Sequence, residues 1–343
     1  MEPNGRKALY ILADWAFEKI YGPDERRDIA ALVNMSALPQ TPEKIQADLS
    51  LLNEVEIIFS GWGGPRLDAA FLDAAPRLQA FFYGAGATGG LISREAWERG
   101  VTVTSAAGMN AIPVAEYTVA AIICALKQTF RFMRDIHAAQ VFPIEKVPVP
   151  GAYKITVGLV SLGAIGRAVV ERLRWLDVSV IACDPFVSAE AAQSLQVEMV
   201  SLEELFRRAE VVSLHTPWLP ETERMITGSH FALMKQGATL INTARGAVIA
   251  EDEMIAALTR RPDLTAILDV TYPEPPIPGS PLYTLPNVFL TPHTAGSMDA
   301  ECRRMGRFMT EELQRFCRGK ALQGLVTPES AQHTSHRVPR HGL

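Results

Sequence analysis

Cysteine is scarce in this sequence: Cys124, Cys183, Cys302 and Cys317 are scattered over 343 residues, with no Cys-x-x-Cys pair and no clustered histidines beside them. That spacing excludes a disulfide framework and a zinc site, so no metal is expected, and it fits the reduced thiols of a cytoplasmic chain. An excess of charge of one sign is missing too. Lys and Arg number 33 against 38 Asp and Glu, a formal net charge of -5, which gives no long-range attraction to nucleic acid or to an anionic membrane. Long hydrophobic runs are absent as well. No 18 consecutive apolar residues are present to span a bilayer. The opening "MEPNGRKALYILADWAFEKI" is interrupted by Asp14, Glu18 and Lys19 and lacks the apolar stretch of a signal peptide. The expectation is a chain with neither a nucleic-acid nor a membrane partner.

What is present is ample apolar material, 48% of residues hydrophobic against 21% charged, in a length that suggests two globular domains. In the first 110 residues, "ALYIL", "VEIIFS", "LQAFFYG" and "VTVTSA" read as strands ending in small residues, separated by polar helical stretches. Residues 114–140 contain neither Gly nor Pro and read as one long helix or two consecutive ones. A proline-rich connector, "VFPIEKVPVPGAY", follows. A second series then alternates strands "ITVGLVS", "VSVIACD", "VVSLHTP", "ATLINTA", "TAILDV" and "VFLTPH" with helices, each strand a near-continuous apolar run. Such runs belong to a parallel sheet buried on both faces, so the fold class is α/β. After His293, "SMDAECRRMGRFMTEELQRFCRG" reads as an amphipathic helix. Residues 327–343 are polar and aperiodic and read as a disordered tail, in which His333 and His336 are solvated rather than metal ligands.

Two glycine stretches compete for a nucleotide. "FFYGAGATGG" matches G-x-G-x-x-G through Gly84, Gly86 and Gly89, whereas "VGLVSLGAIGR" has Ser161 at the first glycine position. A dinucleotide motif needs a preceding strand, a helix opening inside it, and a second strand ending in an acid about 20 residues on. The first stretch lacks that acid. The second has strand "ITVGLV", a helix from Ala164, and strand "VSVIACD" ending in Asp184. Gly163, Ala164, Ile165 and Gly166 are therefore the expected pyrophosphate turn, with Gly163 allowing close approach and Gly166 close helix–strand packing. Ser161 suits the turn provided its φ is negative. Asp184 is placed to accept hydrogen bonds from a ribose diol and to repel a 2′-phosphate, which favours NAD over NADP; the alternative is a turn residue before Pro185.

Three further stretches fall where strands should end, the edge at which open α/β sheets bind ligands: "INTARG", "LDVTYPEP" and "TPHTAG". Arg245 would clamp a substrate carboxylate through two parallel hydrogen bonds. His293 would donate a proton to a carbonyl oxygen as hydride reaches its carbon, and Glu274 would orient the imidazole. Singly, each has an ordinary structural reading as an ion-pair partner, a loop acid or a strand-end histidine. Jointly they point to reduction of a ketone beside a carboxylate.

"VGLVSLGAIGR", "VVSLHTPWLPETERMI", "LINTARGAVIAEDEMIAAL", "LDVTYPEP" and "TPHTAG" together resemble the D-isomer-specific 2-hydroxyacid dehydrogenases over roughly residues 80–300. The resemblance implies two Rossmann-like domains with a cleft between them: a flavodoxin-like substrate domain from residues 1–112 and 297–326, and a doubly wound NAD domain over 113–296. It implies catalytic Arg245, Glu274 and His293. Asp269 would support the nicotinamide side, His215 and Pro217 would line the cofactor, Thr243 and Ala244 would reach the nicotinamide, and Ala295 and Gly296 would follow them. It further implies that the Ala85 and Gly86 amides in the first glycine stretch meet the substrate carboxylate, the alternative there being an ordinary strand-to-helix turn. Trp62 would be another wall of the cleft or a core residue, and a homodimer would form through the helix over about 114–140.

Departures from the family pattern are Ser161, "TSAAGMN" in place of N-T-P-G, and "PVPGAYKIT" in place of G-x-W with a polar turn; they bear on cofactor affinity and connector geometry. The expected substrate is a 2-ketoacid, either small like glyoxylate or hydroxypyruvate or apolar against Trp62 and Tyr83. Phosphoglycerate oxidation would call for a cluster of Lys and Arg near the substrate loops, where Arg66 and Arg94 stand alone. A second class of reading is an NAD-sensing binding protein resembling the corepressors of the same superfamily, which keep the three catalytic residues.

Overall fold

The computed structural model describes residues 5–142 and 149–335. They separate into two compact units, residues 5–111 with 297–335 in one and 112–296 in the other. Residues 143–148 of the expected connector, and His336, lie outside the described residues.

The first unit carries five parallel strands: β1 (Lys7–Tyr10), β2 (Asn34–Met35), β3 (Ile57–Ser60), β4 (Ala80–Tyr83) and β5 (Thr102–Ser105), in the order β2-β1-β3-β4-β5. This is the flavodoxin-like order. Side chains alternate between faces along each strand. Ala8, Tyr10, Ile57, Phe59, Ala80 and Phe82 pack on one face with Met305, Met309 and Leu313 of helix Cys302–Cys317. Leu9, Ile58, Phe81 and Tyr83 pack on the other with Phe71, Leu72 and Ala96. Both faces being covered, the strands read as continuous apolar runs.

The second unit holds β6 (Tyr153–Val160), β7 (Asp177–Cys183), β8 (Glu198–Met199), β9 (Val211–Leu214), β10 (Thr239–Asn242), β11 (Thr265–Leu268) and β12 (Val288–Leu290). All pair in parallel, in the order β12-β11-β10-β9-β6-β7-β8. The chain winds outward from β6 in one direction and, after β8, returns to continue from β9 in the other. The strand ends beside β6 and β9 therefore form the switch point at which doubly wound sheets bind ligands. Here too the faces alternate: Val212, Leu240 and Leu268 join one core, Val211, Ile241 and Ile267 the other.

One alternative left open by the sequence is settled, and two sequence expectations need correction. The 114–140 stretch is two helices, Ala107–Leu126 and Thr129–Ala139, divided at Gln128, whose left-handed φ of 52° ends the first. Ala107–Leu126 is also long and apolar enough to cross a membrane, with a mean hydropathy of 1.6, because Asn110 and Glu116 interrupt the apolar run without lowering its average much; half of that window is buried in the fold. The start of the supposed disordered tail is ordered. Thr327 caps a short helix, Pro328–Gln332, by accepting from the Ser330 amide, and Ser335 is buried.

Candidate active site

Arg245, Asp269, Glu274 and His293 all lie just past the C-terminal ends of the neighbouring strands β10, β11 and β12. Asn242, the last residue of β10, shapes the first of these loops. Its side-chain amide donates to the Arg245 carbonyl (2.9 Å) and its Oδ1 accepts from the Ala244 amide (3.0 Å). Gly246 completes the turn, since a Cβ there would stand 2.0 Å from the backbone carbon of Thr271. The Arg245 guanidinium donates through Nη1 to the Ala244 carbonyl, while its buried Nε has no hydrogen-bond partner among the described residues. Burial lowers the Arg245 pKa, and the Glu274 charge opposes that shift. A desolvated guanidinium with a donor left over is suited to a substrate carboxylate.

His293 and Glu274 meet directly, imidazole Nδ1 to Oε1 at 2.6 Å, with side chains 27% and 16% exposed. A carboxylate held at Nδ1 accepts its proton and fixes the tautomer, so acid–base work falls to Nε2. His293 itself has a left-handed φ of 54°, and its amide donates to the carbonyls of Asp269 and Thr291 (both 3.0 Å). Asp269, expected on the nicotinamide side, binds the His293 loop with its carboxylate. Oδ1 accepts from the Thr291 hydroxyl (2.6 Å) and the Thr294 amide (2.8 Å), and Oδ2 accepts from the Ala295 amide (2.9 Å). Being 2% exposed, it has these partners in place of water.

The nucleotide turn joins β6 to helix Ala164–Leu173. Gly163 caps that helix with no side-chain hydrogen bond, and a Cβ on it would meet nothing within 4 Å. First-turn amides without a side-chain cap, beside open space, fit a dinucleotide pyrophosphate. Gly166 is needed sterically: a Cβ there would stand 2.3 Å from the Ser161 carbonyl oxygen. Ser161 departs from the sequence expectation. Its φ is +75°, the conformation for which glycine is the usual residue at this turn, and its hydroxyl pairs with that of Thr216 (3.1 Å). Asp184 makes the turn contact that its alternative reading expects, and it also reaches the nucleotide turn. Oδ1 accepts from the Phe186 amide (2.8 Å), a turn contact, and Oδ2 accepts from the Leu162 amide (2.7 Å), which ties the end of β7 to the turn and leaves lone pairs for a ribose diol.

His215 follows β9 and is buried. Its Nε2 pairs with the Ser213 hydroxyl (3.2 Å), its Nδ1 has no partner among the described residues, and burial pushes its pKa down to about 4. Pro217 accepts at its carbonyl from Thr222 (2.6 Å). Thr243 is buried against Thr118, hydroxyl to hydroxyl at 3.0 Å, Ala295 is buried, and Gly296 lies at the end of the His293 loop.

In the first unit the glycine stretch continues β4. The Ser105 hydroxyl donates to the carbonyls of Ala85 (3.2 Å) and Gly86 (2.7 Å), fixing the loop. Trp62 is half-buried and stacks on Trp15, rings 5.7 Å apart and 16° from parallel. Sequence reasoning missed Asn242, Thr291, Tyr117, Thr118 and Ser105. Only Asn242 and Thr291 carried a signal, each being the polar residue at the end of an apolar strand next to a candidate loop.

Residues 119–295 match the family model for the D-isomer specific 2-hydroxyacid dehydrogenase, NAD binding domain. D-3-phosphoglycerate dehydrogenase of Methanocaldococcus jannaschii is 32% identical over 67% of this chain and 44% of its own length. Glyoxylate reductase of Korarchaeum cryptofilum is 31% identical over 77% of this chain and 80% of its own. The chain thus spans about half the length, or less, of the first curated relatives it matches. A crystal structure of a protein from Thermus thermophilus superposes with a TM-score of 0.71 at 29% identity, over 94% of this chain and 100% of the other.

Proposed function

Because the chain belongs to the D-isomer specific 2-hydroxyacid dehydrogenase family, we propose that it is an NAD-dependent oxidoreductase interconverting a 2-ketoacid and a D-2-hydroxyacid. The observation that carries the reading is the His293–Glu274 contact of 2.6 Å on loops neighbouring that of the half-buried Arg245, in a domain whose glycine turn presents uncapped amides. A nicotinamide, when bound, would supply or take the hydride. Arg245 holds the substrate carboxylate through its guanidinium fork, which places the adjacent carbonyl carbon. His293 Nε2 gives a proton to the carbonyl oxygen in reduction and takes it back in oxidation, while Glu274 keeps the ring in the required tautomer and orientation. Asp184 favours NAD over NADP by repelling a 2′-phosphate.

The substrate we propose is an unphosphorylated ketoacid of the glyoxylate or hydroxypyruvate kind, reduced rather than formed. Of the two arginines in the first unit's candidate loops, Arg94 is exposed and paired with Glu98 (2.8 Å) and Arg66 is exposed, which supports no phosphate pocket. A homodimer belongs to the same reading: helix Thr129–Ala139 buries none of its residues, and Met133 on it is 64% exposed.

The test is NADH consumption against a panel of 2-ketoacids with and without phosphate, repeated with NADPH. Turnover fastest with an unphosphorylated ketoacid and NADH is expected. Turnover confined to phosphohydroxypyruvate would overturn the substrate proposal, and no turnover on any member would overturn the activity.

A further inference from the structure

Helix Ala107–Leu126 sends two consecutive side chains to the two loops that carry the chemistry. The Tyr117 hydroxyl lies 2.8 Å from Thr291 Oγ1, at the start of the His293 loop, and the Thr118 hydroxyl lies 3.0 Å from Thr243 Oγ1, at the start of the Arg245 loop. Neither residue belongs to a glycine turn or a strand end.

The direction of the first contact can be deduced. Thr291 Oγ1 also lies 2.6 Å from Asp269 Oδ1, and a carboxylate only accepts, so the single Thr291 proton goes to Asp269. Tyr117 must then be the donor to Thr291. Burial raises the Tyr117 pKa; the Thr291 contact opposes that shift and the Asp269 charge adds to it, and the net upward direction keeps the phenol protonated as that role requires. A one-way chain results: Tyr117 to Thr291, Thr291 to Asp269, and on the same carboxylate the amides of Thr294 and Ala295, the two residues after His293. The second contact is fully desolvated. Thr118 is 0% exposed and Thr243 6%, so each hydroxyl depends on the other for its hydrogen bond. Thr243 directly follows Asn242, whose side chain pins Ala244 and Arg245.

We propose that Tyr117 and Thr118 are positioning residues, a two-point hydroxyl brace by which one helix sets the His293 loop and the Arg245 loop in register with each other. Neither touches the reacting atoms. Tyr117 acts through Thr291 and Asp269, and Thr118 acts through Thr243.

The test has an arm independent of activity and a kinetic arm that rests on the function proposed above. In the first, amide hydrogen exchange is followed in the wild type, Tyr117→Phe, Thr118→Val and Thr118→Ser. Faster exchange is expected at Thr294 and Ala295 in Y117F and at Ala244 in T118V, with the rest of the unit and T118S close to wild type. In the second, Y117F should lower kcat roughly 3- to 10-fold with little change in ketoacid KM, the amount one lost hydrogen bond is worth. T118V should raise ketoacid KM by a similar factor with kcat nearly kept, and T118S should restore it. Unchanged exchange in both loops would overturn the brace, as would T118S behaving like T118V or both variants loosening the whole unit alike. A wild type without turnover that shows the expected exchange pattern would remove the proposed function and leave the brace standing.

Discussion

A neutral, buried imidazole makes stability depend on pH, and His215 is one. Its pKa falls from an ordinary 6.5 to about 4 through burial, and no charge lies among the causes. Between those values the unfolded chain binds a proton that the folded chain refuses, so stability is complete above pH 6.5 and is lost as pH drops toward 4, with a ceiling of about 3 kcal/mol. Urea unfolding at a series of pH values should show a shallower loss for His215→Asn than for the wild type over this window; parallel curves would show that His215 is not desolvated as described. At this scale the sequence was most legible where a residue's chemistry and its place after a strand coincided, as for Arg245, Glu274 and His293. It was least legible where a role depends on a distant partner. Tyr117 and Thr291 are 174 positions apart, and no local pattern links them. Asp269 was singled out, but its part in holding the His293 loop emerges only from the convergence of Thr291, Thr294 and Ala295 on its carboxylate.

Among the elements, the strand–turn–helix unit at Ser161 shows why a sequence pattern can be right about place and wrong about conformation. The strand, the helix and the acid around it were all legible, yet the expectation of a negative φ failed because the turn itself demands the left-handed region whatever residue fills it. The Thr216 hydroxyl contact offsets part of that strain. Ser161→Ala and Ser161→Gly both lose this contact, but only alanine keeps a Cβ at φ +75°. The left-handed cost of about 1–2 kcal/mol exceeds the roughly 0.4–1 kcal/mol that glycine loses to a looser unfolded chain. S161G should therefore be more stable than S161A by about 0.5–1 kcal/mol in denaturant unfolding, and the reverse order would contradict the turn geometry. Elements that escaped the sequence have plain reasons. Strands β2 and β8 are two residues each, at sheet edges, half or fully exposed, and carry no apolar run to see. For 114–140 the sequence left one helix or two open, because the division falls at Gln128, a residue with no breaker character, and neither Gly nor Pro marks the bend.

Across the whole molecule, the α/β class and the parallel sheet of the second unit followed from apolar runs alternating with helices, and the candidate residues from their places after strands. Strand order did not, since it depends on crossovers that the sequence does not record. The helix Thr129–Ala139, amphipathic yet without a buried residue, leads us to expect a particle of twice the 37.6 kDa chain mass by light scattering at micromolar concentration; a monomer mass would remove the dimer from the account. The central claim is that His293 is the acid–base group of a ketoacid reductase. It is tested most directly by comparing kcat for NADH-dependent ketoacid reduction in the wild type and in His293→Ala, with NADH affinity measured alongside by fluorescence. The account predicts a loss of about 10²- to 10⁴-fold in kcat with NADH binding nearly unchanged. Turnover within a few-fold of wild type would contradict it.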